Sequence, residues 1–91
     1  MRRHRVVSEH EQREWLARNV RFRRCALDLT VREASALAGM SPRQWQKVER
    51  NETNATINTL AKVCVALSAD IVELLSEPRS AGARYVFRGG G

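Results

Sequence analysis

No apolar run in this 91-residue chain approaches the length that crosses a bilayer, and the N-terminal "MRRHRVVSEHEQ" lacks a signal-peptide core. A cytoplasmic protein is therefore expected. Cysteine is scarce: Cys25 and Cys64 stand 39 positions apart, without the spacing of a metal site, and read as reduced thiols in or near the core. His4 and His10 read as surface residues with no ligand constellation around them, so neither a metal nor a cofactor is expected. The acidic residues are scattered and form no paired-carboxylate site. With no nucleophile–base pairing and no phosphate-cradling loop, catalysis has no support in the residues. Alternating strand patterns do not occur before residue 80, and there are no internal repeats.

Arginine is abundant. The chain has 16 Lys and Arg against 10 Asp and Glu, a net charge of +6, and fourteen of the sixteen are Arg. The excess is confined to one half. Residues 1–50 hold twelve basic and six acidic residues, whereas residues 51–91 hold four of each. The first half is the candidate contact surface for a polyanion. The planar guanidinium fork suits phosphates and the edge of guanine. A hydrophobic fraction of 43% fits one small folded domain with a modest core.

Helix starts recur along the chain. In "SEHE", "TVRE" and "SPRQ", Ser8, Thr30 and Ser41 are each followed three residues later by Glu11, Glu33 and Gln44. Each reads as a capping box, in which the hydroxyl accepts from an orphan backbone N–H and the longer side chain reaches back. Pro42 suits a first helical position. The pattern predicts helices over about 9–27, 31–38, 42–50, from 57 onward, and a short one near "ADIVELLS". Their expected apolar sides are Leu16, Val20 and Leu27 with Trp15, Phe22 and Cys25 nearby; Val31, Ala34, Leu37 and Ala38; Trp45 and Val48; Ile57, Leu60, Ala61, Cys64 and Leu67; and Ile71, Leu74 and Leu75. Gly39 and Asn51 suit left-handed helix stops. "RYVF", residues 84–87, fits a short strand or a tail.

On a wheel at about 100° per residue, Trp45, Val48 and Glu49 fall on one side of the third helix. Arg43, Gln46, Lys47 and Arg50 fall on the other, with Gln44 at the margin. A helix, a tight turn at Gly39 and a second short helix make a helix-turn-helix, whose second helix enters the DNA major groove by its N-terminal end. Arg43 suits guanine O6 and N7, Gln44 or Gln46 suits adenine, and Lys47 suits guanine or phosphate.

"LTVREASALAGMSPRQWQKVERN" followed by "TINTLAKVCVALSADIVELL" resembles the Cro/repressor (XRE-type) helix-turn-helix family over residues 16–75. The resemblance implies an all-α, lambda repressor-like fold of five helices and a dimeric transcriptional regulator on a palindromic operator. It puts base reading at Pro42, Arg43 and Lys47, to which the wheel adds Gln46. It puts phosphate contact at Ser41, Asn51, Thr53 and Asn54, and an ion pair between Arg24 and Glu49. Val31 stands where the family often has a DNA-anchoring Gln, a phosphate contact for which Arg32 beside it can substitute, and Arg50 at the end of the third helix reads as a further phosphate contact. Trp45 stands where the family has a small or aliphatic residue, and Asn51 replaces a common Gly.

Three segments follow: a basic arm and the start of the first helix (1–13), the DNA-binding domain (14–76), and a tail (77–91). The first functional reading is a dimeric, sequence-specific regulator binding double-stranded DNA, its dimer surface on the fifth helix and the tail. The second is an antitoxin-type protein that binds a protein partner through the tail and represses its own operon. Phage, plasmid and restriction–modification controllers share this fold and size.

Overall fold

The computed structural model describes residues 6–78. They form five helices: α1 (Glu9–Ala26), α2 (Val31–Ala38), α3 (Pro42–Glu49), α4 (Ile57–Leu67) and α5 (Ile71–Leu75). No strand occurs among the described residues. The basic arm at residues 1–5 and "RYVF" at 84–87 lie outside them.

Every helix opens on a side chain that accepts from an otherwise unpaired N–H. Ser8 accepts from the N–H of Glu11, Thr30 from Glu33, Ser41 from Gln44, Thr56 from Thr59 and Asp70 from Val72. In α2, α3 and α5 the N-cap N–H donates in return to Glu33, Gln44 and Glu73, completing a capping box. The box at Asp70 is a third complete one, with the same spacing and an aspartate in place of the hydroxyl.

Four helices close with one geometry. The N–H groups of Leu29, Met40, Glu52 and Ala69 donate five residues back, to the carbonyls of Arg24, Ser35, Lys47 and Cys64, at 2.9–3.1 Å. This Schellman arrangement needs a left-handed residue just before the donor. Asp28, Gly39, Asn51 and Ser68 fill that place with φ of 59°, 71°, 59° and 50°. Glycine does so without steric cost and Asn or Asp with little, but serine has no such tolerance. Ser68→Gly is therefore expected to raise stability by about 0.5–1 kcal/mol, seen as a higher urea midpoint at unchanged m-value. An unchanged or lower midpoint would show that the backbone at Ser68 is not strained.

The core gathers Leu16 and Val20 of α1, Ala34 and Ala38 of α2, Trp45 and Val48 of α3, Leu60, Val63, Ala66 and Leu67 of α4, and Leu74 of α5. α1 packs across α3, α4 and α5, and α2 packs on α3 and α4. α1 also supplies polar caps to its neighbours. Asn19 Nδ2 donates to the carbonyls of Leu74 and Ser76 at 2.9 and 2.8 Å, and Gln12 Nε2 to that of Leu75 at 2.8 Å. Arg23 Nε and Nη2 donate to the carbonyls of Leu67 and Ser68 at 3.1 and 3.0 Å. These bonds satisfy the last carbonyls of α4 and α5, which have no partner within their own helices.

Several sequence expectations are corrected. α1 and α3 each stop one residue early, with Leu27 and Arg50 as caps. Leu27, Leu37, Ile57, Ala61 and Cys25 were expected on buried sides and are exposed. Ala17, Ser35, Val63 and Ala66 are buried instead. α4 is apolar nearly all round, so periodicity alone does not select the inward face. Ser35 is accommodated because its hydroxyl donates to the Arg32 carbonyl at 3.1 Å. Cys64 is half-buried, and burial, aided by Asp70 and Glu73, raises its thiol pKa above the ordinary value. Both cysteines are free thiols.

Candidate nucleic-acid interface

α2 and α3 are fixed to each other before any partner is considered. Gly39 ends α2 in the left-handed region, Met40 turns half-buried against the core, and Ser41 caps α3 with Pro42 behind it. Three residues thus turn the chain between two helices that pack on each other. α3 buries Trp45, which is fully enclosed, and Val48.

The inward edge of α3 is closed by one carboxylate. Arg24 of α1 donates to Glu49 through Nε at 2.6 Å and Nη2 at 3.1 Å, and its Nη1 donates to the Leu29 carbonyl at 2.9 Å. The expected partners are joined, and the pair is largely withdrawn from solvent, with side-chain exposures of 15% and 8%. The Glu49 hydrogen bond, with its charge adding to it, holds the Arg24 guanidinium above its already high pKa against the opposing effect of burial. A third donor was not anticipated: Trp45 Nε1–H bonds Glu49 Oε2 at 2.6 Å. The i, i+4 spacing of Trp45 and Glu49 was the available signal. It places two such side chains side by side on one helix face.

Turning Glu49 inward removes the only carboxylate of α3 from its outer face. Arg43, Lys47 and Arg50 are exposed there, and none of them makes an ion pair among the described residues. Gln46 lies half-buried beside them. Arg32, second in α2, is also exposed and unpaired by any described carboxylate. Gln44 is exposed, but its Oε1 accepts from the Ser41 N–H at 3.1 Å as part of the cap.

The loop after α3 is built differently from its neighbours. Asn51 is half-buried in the left-handed region, and its Oδ1 is enclosed without a hydrogen-bond partner. Asn54 Oδ1 accepts from Arg13 Nη1 of α1 at 2.7 Å, which ties the loop down, while Thr53 is exposed. Glu52 stands among them, exposed, as a carboxylate that the sequence reading did not weigh. Among the described residues no group of His, Cys, Asp and Glu is arranged to hold a metal, and no helix is long and apolar enough to cross a membrane.

Residues 20–74 match the family described as helix-turn-helix. The chain belongs to that family. The matched span runs from the middle of α1 to Leu74 in α5, so it contains the whole helix-turn-helix and most of the core that supports it. Solved helix-turn-helix proteins share the architecture. The clp gene regulator ClgR from Corynebacterium glutamicum is 31% identical with a TM-score of 0.66, the match covering 70% of this chain and 83% of that one. A hypothetical transcription factor, NHTF, from Neisseria is 23% identical with a TM-score of 0.72, over 96% of this chain and 97% of that one. An HTH_3 family transcriptional regulator from Vibrio cholerae is 24% identical with a TM-score of 0.69, and the match covers 74% of this chain and 38% of the longer Vibrio chain. The last two resemble this protein in fold alone. A search of curated proteins found no match.

Proposed function

We propose that this helix-turn-helix protein is a sequence-specific transcriptional regulator that binds double-stranded DNA as a dimer on a palindromic operator, with α3 in the major groove. The observation that supports it is the division of α3 into two faces. Glu49 and Trp45 are tied to each other and to Arg24, and the outer face carries Arg43, Lys47 and Arg50 with no carboxylate among them. An outward face with no internal partner is available to a polyanion, and its first turn is the part that reaches base edges.

Arg43 reads guanine in this arrangement, and Lys47 reads guanine or an adjacent phosphate. Pairing with adenine falls to Gln46, because bidentate recognition needs both the oxygen and the nitrogen of the amide and the Gln44 oxygen is engaged in the cap. Arg32, Arg50, Ser41, Thr53 and the amide nitrogens of Asn51 and Asn54 serve the phosphates. The antitoxin-type reading depends on a tail that lies, beyond residue 78, outside the described residues.

Selection from a random duplex pool tests the proposal. The expected product is a palindrome with half-sites roughly one helical turn, about 10 bp, apart. Enrichment of no sequence, with binding that vanishes as salt rises, would reduce the protein to a phosphate binder. Arg43→Ala is expected to cost about 1–3 kcal/mol of specific binding and to relax one base position, whereas Arg50→Ala weakens all sequences alike. A binding profile for Arg43→Ala that matches wild type across mutated operators would remove Arg43 from base reading.

A further inference from the structure

The fifth helix, expected to form the dimer surface together with the tail, has little free apolar face of its own. Leu74 is buried, and Ile71 and Leu75 pack half-buried on the core. Only Val72 of that helix stays exposed among its apolar residues. The outer side of α4 offers a different surface. Ile57, Ala61 and Val65 lie four residues apart, one above another on one face, turned away from the buried Val63 and Ala66. Ile57 is 73% exposed and Val65 74%. Asn58 and Ser68 beside them are uncharged, and Lys62 is the only charged residue of the helix.

We infer that this stripe is the contact between two copies of the chain, packed antiparallel through a two-fold axis at Ala61; the inference rests on the dimeric reading above. A two-fold interface must be self-complementary, each residue i that meets j being answered by j meeting i. The stripe has that symmetry in sequence: large, small, large. With α4 antiparallel to its twin, Ala61 meets Ala61 and lets the two helices approach closely. Ile57 then packs on the other copy's Val65, and Val65 on its Ile57. Because the stripe is free of charge, no carboxylate or ammonium is buried when it pairs with itself, whereas an acidic or basic partner would find nothing to pair with. Three residues a side bury less than the about 800 Å² per partner of a standard stable interface. The dimer is accordingly weak in free solution and is reinforced when both copies sit on one operator.

Sedimentation equilibrium of the full chain, free and with operator DNA, tests this. V65E and I57K, each alone, are expected to weaken self-association on the order of tenfold or more while leaving the thermal unfolding midpoint near wild type, since both positions face solvent in the protomer. The double variant I57K/V65E is expected to regain the dimer, because the introduced ammonium meets the introduced carboxylate of the other copy. Rescue is specific to the antiparallel register; a parallel pairing would set like charges together. A wild-type dimer that survives V65E, or a double variant that stays monomeric, overturns the surface but leaves the dimeric regulator standing. A protein that is monomeric in solution and binds its selected site one to one overturns both.

Discussion

Arg24→Ala is expected to destabilise the domain by about 3–5 kcal/mol. The loss has three parts: two bonds to Glu49 and one to the Leu29 carbonyl disappear together. What remains is costlier than what is removed, because the Glu49 carboxylate stays in a pocket that leaves it 8% exposed, with the Trp45 indole as its remaining side-chain donor. A buried charge without its counter-ion is among the few defects that consume so much of a small domain's total stability, about 5–15 kcal/mol. Burial also limits screening, so added salt does not reproduce the effect in wild type. The guanidinium pKa is raised by the pairing, so its contribution is fully present below the already high unfolded value and is lost only as pH rises through the still higher folded one. No titration of Arg24 is therefore expected across the range in which the protein is handled. Urea unfolding of R24A and of the milder R24K, which keeps the charge but not the fork, measures this. If R24A falls within 0.5 kcal/mol of wild type, the pair is not a structural tie.

Trp45→Ala is expected to cost a similar amount, about 3–5 kcal/mol, by another route. Trp45 is the largest fully buried side chain of the core, and alanine leaves a void beside Val48 and the helices that enclose it. It also withdraws one donor from Glu49. Trp45→Phe retains most of the volume and loses the donor, so its smaller cost isolates the hydrogen bond. The two substitutions share an acceptor, Glu49 Oε2, and R24A/W45A is expected to depart from additivity by about 0.5–3 kcal/mol. Strict additivity would mean that the two donors act on Glu49 independently.

These two residues also show how far the sequence could be read. The helices were legible because their starts are local. A hydroxyl or carboxylate three residues ahead of its partner declares an N-terminus without reference to the rest of the fold, and Thr30, Ser41 and Thr56 each open a helix where expected. The Arg24–Glu49 pair came from the family resemblance alone, since nothing local links positions 25 residues apart. The caps supplied by Gln12, Asn19 and Arg23 were invisible for the same reason: their partners are backbone carbonyls more than forty positions away, and a carbonyl has no sequence signature. α4 was read in part: Leu60 and Leu67 are buried as expected and Cys64 packs on the core, whereas Ile57 and Ala61 are exposed. With Ile57, Ala61, Val63 and Val65 distributed round it, hydrophobicity does not separate the core side from the side left open. On α3 the wheel was decisive because the polar residues leave one side for Trp45 and Val48. Gln44 was read two ways, as the capping partner of Ser41 from its spacing and as a base reader from the margin of the wheel, and its Oε1 is in the cap.

The separation of α3 into a bound side and an unbound side has an evolutionary meaning. Arg43, Gln46 and Lys47 hold no described hydrogen bond or ion pair through their side chains, so exchanging them disturbs little that the fold depends on. If α3 reads DNA as proposed, a lineage can drift from one target site to another by changing these positions while Glu49, Trp45 and Arg24 hold the helix in place. The same independence suits a combinatorial library randomised at 43, 46 and 47: its members would still reach the native state, and on the proposed reading they would differ in what they recognise, so that selection would act on recognition alone.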